Sequence, residues 1–144
     1  MPWFVGRYNE NSYPRYQKLI GEDIKWAKKN EVDYAPLVFP GFSWANMKGC
    51  ENNTLISRNK GSFLWKQLSG AIKEGAEMIY VAMFDEIDEG TAIFKCAKKV
   101  PVGASTFVPI EEGIESDHYL WLVGEAGKML RKEKPLEMTQ PKRK

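Results

Sequence analysis

Two runs of apolar residues interrupt an otherwise mixed chain. Residues 77–84, EMIYVAMF, are nearly unbroken and end at charges, the pattern of a parallel strand covered on both faces. Residues 33–39, DYAPLVF, read the same way, with Pro36 removing one ladder hydrogen bond. Trp3, Phe4, Val5 and Gly6 suggest a third, shorter strand at the start. Between these runs the period turns helical. Tyr16, Leu19, Ile20, Ile24 and Ala27 recur at spacings of three and four, as do Leu64, Leu68, Ala71 and Ile72, so each stripe should face a sheet. Gly75 marks the C-terminal break of the second helix. A last helix is predicted with Ser116 as N-cap, Asp117 in its first turn and Leu120, Val123, Gly127 and Leu130 on one face; Pro135 closes it.

Strand and helix alternating three times define the α/β class, with parallel strands and right-handed crossovers. Residues 1–134 are expected to form one domain and the polar, basic residues 135–144 a frayed tail. Two connections, 40–60 and 85–115, are far longer than a simple strand-to-helix turn. Both follow the carboxyl ends of strands, where α/β enzymes keep their active sites.

Composition narrows the field. The chain has 144 residues, 43% of them hydrophobic, with five Trp, six Tyr and seven Phe, enough for one real core. Twenty-one Lys and Arg against nineteen Asp and Glu leave a net charge of +2, so no nucleic-acid partner is indicated. Cys50, Cys96 and the single His118 make no ordinary zinc constellation, and neither metal nor cofactor is expected. No apolar stretch approaches the roughly 20 residues that span a bilayer, and no signal peptide is visible. The expectation is a soluble chain with no membrane partner and no export address, its localisation open. His118 reads as structural, because a helix start disfavours an imidazolium. Cys50 and Cys96 fall in loops at one end of the sheet, where a disulfide is geometrically conceivable. Asn52, Asn53 and Thr54 form a glycosylation sequon that matters only in a secreted chain.

Phe84, Asp85, Glu86, Ile87, Asp88, Glu89, Gly90 and Thr91 carry the sharpest chemistry: four carboxylates in five positions, directly after the most apolar run. Four like charges repel, so at least one carboxyl should have a raised pKa and serve as an acid. Glu86 and Glu89, three apart, can point the same way from a turn, with Cβ atoms about 5–6 Å apart. Retaining glycoside hydrolysis uses carboxyl groups about that far apart. A solvated loop, helix-start acids or a calcium site would carry the same residues, although the spacing does not fit an EF-hand.

The run YVAMFDEIDEGTAIFK at 80–95, with VFPGFSW at 38–44, WFVGR at 3–7 and SDHY at 116–119, resembles glycoside hydrolase family 71/99-like proteins, relatives of the endo-α-mannosidases. The resemblance implies a (β/α)8 TIM barrel acting on α-linked sugars, with catalytic carboxylates on a Glu-x-x-Glu-Gly-Thr motif, here Glu86 and Glu89. It also implies that Glu86 is the base that deprotonates the sugar 2-hydroxyl, whose oxygen attacks the anomeric carbon. Glu89 would protonate the leaving oxygen and later activate water. Where the endo-mannosidase branch reads Trp-Asn-Glu-Trp, this chain has Phe84, Asp85, Glu86 and Ile87, so both flanking indoles are replaced and Asp85 adds a charge beside the pair.

Trp3, Phe42 and Trp44 lie where aromatic faces could stack on sugar rings or plug the barrel mouth. Arg7 and Arg58 could bind sugar hydroxyls, hold the carboxylates ionised or make ordinary ion pairs. A barrel of eight units takes about 250 residues, often 200 at minimum, so the chain reads as the C-terminal three strand-helix units of one. Its inner sheet face would then be open and prone to self-association. The partner expected is an oligosaccharide or polysaccharide; a non-catalytic carbohydrate-binding or structural α/β domain is the alternative.

Overall fold

Parallel pairing is confined to the centres of the two long apolar runs. In the computed structural model, which describes residues 1–49, 55–100, 103 and 107–143, Leu37 pairs with Tyr80 and Val38 with Val81. The elements in chain order are α1 (Tyr13–Lys29), β1 (Leu37–Val38), β2 (Phe42–Ser43), α2 (Trp44–Lys48), β3 (Leu55–Ile56), a 3-10 turn (Asn59–Gly61), α3 (Ser62–Lys73), β4 (Tyr80–Val81) and α4 (His118–Leu130). β1 and β4 form one parallel sheet, β2 and β3 a separate antiparallel one. The hairpin and α2 subdivide what the sequence suggested was one long loop. The proposed Cys50 disulfide and the sequon at 52–54 lie outside the described residues.

Both parallel strands are shorter than expected because their backbones find other partners. Past Val38, the peptide groups of Phe39 are taken by a side chain: the Phe39 N–H donates to Gln67 Oε1 (3.2 Å), and Gln67 Nε2 donates to the Phe39 carbonyl (2.8 Å). Gln67 is fully buried and also accepts from the Tyr8 hydroxyl (2.9 Å) and donates to the Phe63 carbonyl (3.0 Å), which uses the full capacity of its amide. Past Ala82, the Met83 N–H donates to Thr91 O (3.2 Å) within its own loop. Residues 3–6 form no strand. The Arg7 N–H donates back to Phe4 O (3.0 Å), a turn that buries Val5 instead.

Leu37 and Val38 point to opposite faces, as alternate residues must, and enter different cores. Leu37 joins Tyr8, Tyr13, Ile20, Ile24 and Phe63; Val38 joins Leu64, Trp65, Leu68, Tyr119 and Leu122. Helix α3 packs against both α1 and α4 and serves both cores. The expected stripe on α1 holds except at Leu19, which is exposed. On α4 the buried face is Tyr119, Leu122, Ala126 and Met129, and Leu120 is exposed. This helix is apolar on most sides, so two stripes of the same period compete, and packing against α3 selects one.

Helix α4 starts one residue later than the sequence suggested, with Asp117 as N-cap rather than Ser116, and it ends at Leu130, well before Pro135. The end is a Schellman motif: the Lys132 N–H donates to Met129 O (3.0 Å) and Glu133 N–H to Lys128 O (2.8 Å). Residues 135–143, expected to fray, are tied down. Trp65 Nε1 donates to Glu137 O (3.2 Å), Gln140 Nε2 donates to Lys60 O (2.9 Å), and Arg143 pairs with Asp117 and lies over Trp121. No described helix is long and apolar enough to cross a membrane.

Lys132 holds a φ of +61°, a conformation that costs a non-glycine residue roughly 1 kcal/mol. Lys132→Gly is expected to leave the fold intact and raise the urea midpoint, equivalent to about 0.5–1 kcal/mol. Lys132→Val should lower it. An unchanged midpoint in both would show that this terminus contributes no strain.

Candidate active site

The acidic residues follow β4 on a tight turn. Its closure comes from the Gly90 N–H donating to Ile87 O (3.1 Å) and the Thr91 hydroxyl donating to Glu86 O (3.2 Å). Gly90 has a φ of +72°, and a Cβ there would meet Val108 Cγ2 at 2.8 Å, so both backbone and space require glycine.

Two elements hold this turn from outside. From β2, the Ser43 N–H donates to Glu89 O (2.6 Å). From the residues after β3, Arg58 donates through Nε (3.0 Å) and Nη2 (2.7 Å) to the carbonyl of Gly90. Arg58 is only 4% exposed. Its stem passes so close to Gly41 that a Cβ there would meet Arg58 Cγ at 2.7 Å. Its guanidinium carbon lies 5.1 Å from the centre of the Tyr119 ring, and Nη1 is buried without a hydrogen-bond partner. The Tyr119 hydroxyl donates to Glu111 Oε2 (2.6 Å), while Glu111 Oε1 accepts from the Lys60 N–H (2.9 Å). Burial, and then Glu111, push the Tyr119 hydroxyl up, so it stays a donor.

Glu86 and Glu89 are half-buried, whereas Asp85 and Asp88 are exposed. Glu86 Oε1 accepts the Asp88 N–H (3.1 Å), which fixes how that carboxylate points. Burial raises the Glu89 carboxyl above the ordinary carboxylate range, and the charges of Glu86 and Asp88 raise it further. The raised acid expected from four crowded carboxylates is therefore Glu89.

The other residues suggested by the sequence divide into groups. Arg7 and Trp44 meet at a cavity of about 590 Å³. Trp44 donates its indole N–H to Gly6 O (3.2 Å) and carries the Lys48 ammonium 4.9 Å from its ring centre. Phe42 is buried under the edge of Trp44, with ring centres 4.8 Å apart. Trp3 is 52% exposed and touches Tyr80 with centres 6.4 Å apart. Arg58 does not reach the surface; its fork is spent on backbone. His118 is buried with Nε2 3.0 Å from Lys60 O, a structural position. Among the described residues no group of three or more His, Cys, Asp or Glu is placed to hold a metal ion.

Sequence reasoning missed Ser43, whose contribution is a backbone N–H with no side-chain signature. Lys48 was legible in principle, standing four residues after Trp44 on one helical face.

No protein-family model and no curated protein matches the chain. Among solved structures, the GH99 endo-alpha-mannosidase of Bacteroides thetaiotaomicron, alone and in complex with BIS-TRIS-propane, aligns with a TM-score of 0.71 over 81% of this chain at 24% identity. The chain has a GH99-like fold. It spans 34% and 36% of those two chains, about a third of their length.

Arg58→Lys keeps the charge but cannot reproduce the fork and ring contact. It is expected to lower stability by about 1–2 kcal/mol in urea denaturation. Stability equal to the parent would show that the fork does not hold the turn.

Proposed function

We propose that the chain is a segment of a retaining glycoside hydrolase, part of a (β/α)8 barrel of which two parallel strands are formed here, that acts on a carbohydrate through Glu86 and Glu89. The observation that carries the reading is the turn clamped from two sides by Ser43 and Arg58, which holds the half-buried Glu86 and Glu89; burial, then Glu86, raise the Glu89 carboxyl there. A general acid near neutral pH needs such an environment.

In this reading Glu86 removes the proton of the sugar 2-hydroxyl, and that oxygen attacks the anomeric carbon as the glycosidic bond breaks. Glu89 gives its proton to the departing oxygen. Ionised Glu89 then takes a proton from water as the water oxygen bonds to the anomeric carbon and breaks its bond to the 2-oxygen, which recovers its proton from Glu86. Both carboxyls return to their starting states. The GH99-like fold supports a sugar substrate over other classes. The replacement of the flanking indoles by Phe84 and Ile87 separates this chain from mannan-directed relatives, so the sugar is not assumed to be mannose.

In a polypeptide that completes the barrel, Glu86→Gln and Glu89→Gln should each slow release of reducing ends from an aryl glycoside by about 10²–10⁴-fold, with melting unchanged or raised. Near-parental turnover in both variants would remove the mechanism. Saccharide binding by calorimetry with no reducing ends released by the parent would favour the non-catalytic reading, for which the limited span of the fold argues.

The barrel reading also assigns the exposed Trp3 (52%), Tyr80 (40%) and Phe84 (59%) to a face that further strands cover. By itself at micromolar concentration, the 144-residue chain should sediment faster than a monomer through this face. A purely monomeric boundary, or association unaffected by Trp3→Ser with Phe84→Ser, would contradict that assignment.

A further inference from the structure

The cavity beside β2 has a charge character that nothing in the two-carboxylate mechanism uses. Its volume of about 590 Å³ lies within the ordinary range for small-molecule sites. Arg7 and Lys48 line it, and no Asp or Glu does so among its described residues. Both cations are exposed, and neither takes part in an ion pair among the described residues. Other exposed cations, such as Lys25 and Lys29, are also unpaired among the described residues; what sets Arg7 and Lys48 apart is that both line one cavity. The Lys48 ammonium is held 4.9 Å from the Trp44 ring centre, a contact that orients it before any ligand arrives.

This cavity and the acidic turn are joined through β2. Ser43 donates its N–H to Glu89 O (2.6 Å), and the next residue, Trp44, is part of the cavity wall. One side of β2 therefore meets a turn with four carboxylates, while the residue that follows it opens on a cavity with two cations. A ligand spanning both sides experiences opposite fields at its two ends. A negative group on such a ligand would be repelled by the turn and drawn to the cavity, which would set the direction in which a saccharide lies. A neutral sugar would bring neither cation an anionic partner.

We propose that the saccharide recognised here is anionic, carrying a carboxylate or sulfate ester that seats between Arg7 and Lys48. This rests on the saccharide reading given above and names the class of its ligand. Arginine supplies a forked donor pair matched to either oxyanion, and lysine a point charge.

The test is calorimetric titration of the full chain with three oligosaccharides of equal length: an oligogalacturonate, a sulfated oligosaccharide and a neutral mannan oligosaccharide. At least one charged ligand should bind about tenfold or more tightly than the neutral one in about 20 mM salt, and the advantage should shrink in about 500 mM salt. Which charged ligand binds better identifies the anion. Arg7→Ala and Lys48→Ala should each weaken charged binding several-fold more than neutral binding, and Lys48→Arg should restore the charge preference. Equal affinity for charged and neutral ligands, indifference to both alanine variants, or binding of none of the three would overturn the proposal. Glu86→Gln with Glu89→Gln separates the two readings: charge preference that persists while turnover is absent in every form leaves the anion site and removes the hydrolase. Turnover of neutral sugars with no charge preference does the reverse.

Discussion

A buried guanidinium closing on one carbonyl holds the candidate site together. Arg58 reaches from the end of the β2/β3 hairpin to Gly90 with two hydrogen bonds, while its face rests on Tyr119 of α4. Tyr119 is tied through Glu111 to Lys60 in the 3-10 turn. Hairpin, acidic turn, last helix and the approach to α3 are thus joined around one side chain. A buried cation with no carboxylate partner is costly. Here the compensation comes from a backbone carbonyl and an aromatic face, and one guanidinium nitrogen has no hydrogen-bond partner among the described residues.

Gln67 does the corresponding work in the core. By bonding both backbone groups of Phe39, its amide imitates a neighbouring strand for one residue and ends β1 at Val38. The chain is thereby released to turn toward the hairpin, whose β2 supplies the Ser43 N–H to Glu89. The short sheet and the positioned turn have the same origin: polar side chains and loop backbone satisfy groups that a longer ladder would otherwise take up.

Helical period was the most legible part of the fold. It located α1, where a single apolar stripe faces the core, but found only part of the buried surface of α3, which buries Phe63, Trp65 and Gln67 besides Leu64, Leu68 and Ala71 because it packs into two cores. It misplaced the face of α4, where Leu120, Leu122 and Val123 are all apolar and only the packing of Tyr119 and Met129 decides. Apolar runs located the parallel pair but not its length, since Gln67 and the loop bonds of Met83 are invisible to a hydrophobic pattern. The basic tail misled for a related reason. Its contacts are a few long-range bonds, one each to Lys60 and Trp65 and a forked pair to Asp117, which composition does not reveal. At the site, the crowding of Asp85, Glu86, Asp88 and Glu89 was readable as electrostatics; the raised Glu89 carboxyl owes more to burial than to that crowding, and burial is not readable from spacing. Arg58 was visible as a residue but not as a buried clamp, because burial depends on the close approach at Gly41.

The account turns on Glu86 and Glu89 sharing one partly dehydrated environment, which a pH titration of the Glu89 carboxyl carbon by NMR measures most directly. The account predicts a midpoint above the ordinary glutamate value of 4.5 that moves back down when Glu86→Gln removes the neighbouring charge. A Glu89 midpoint at the ordinary value, or a raised one indifferent to that substitution, would contradict it.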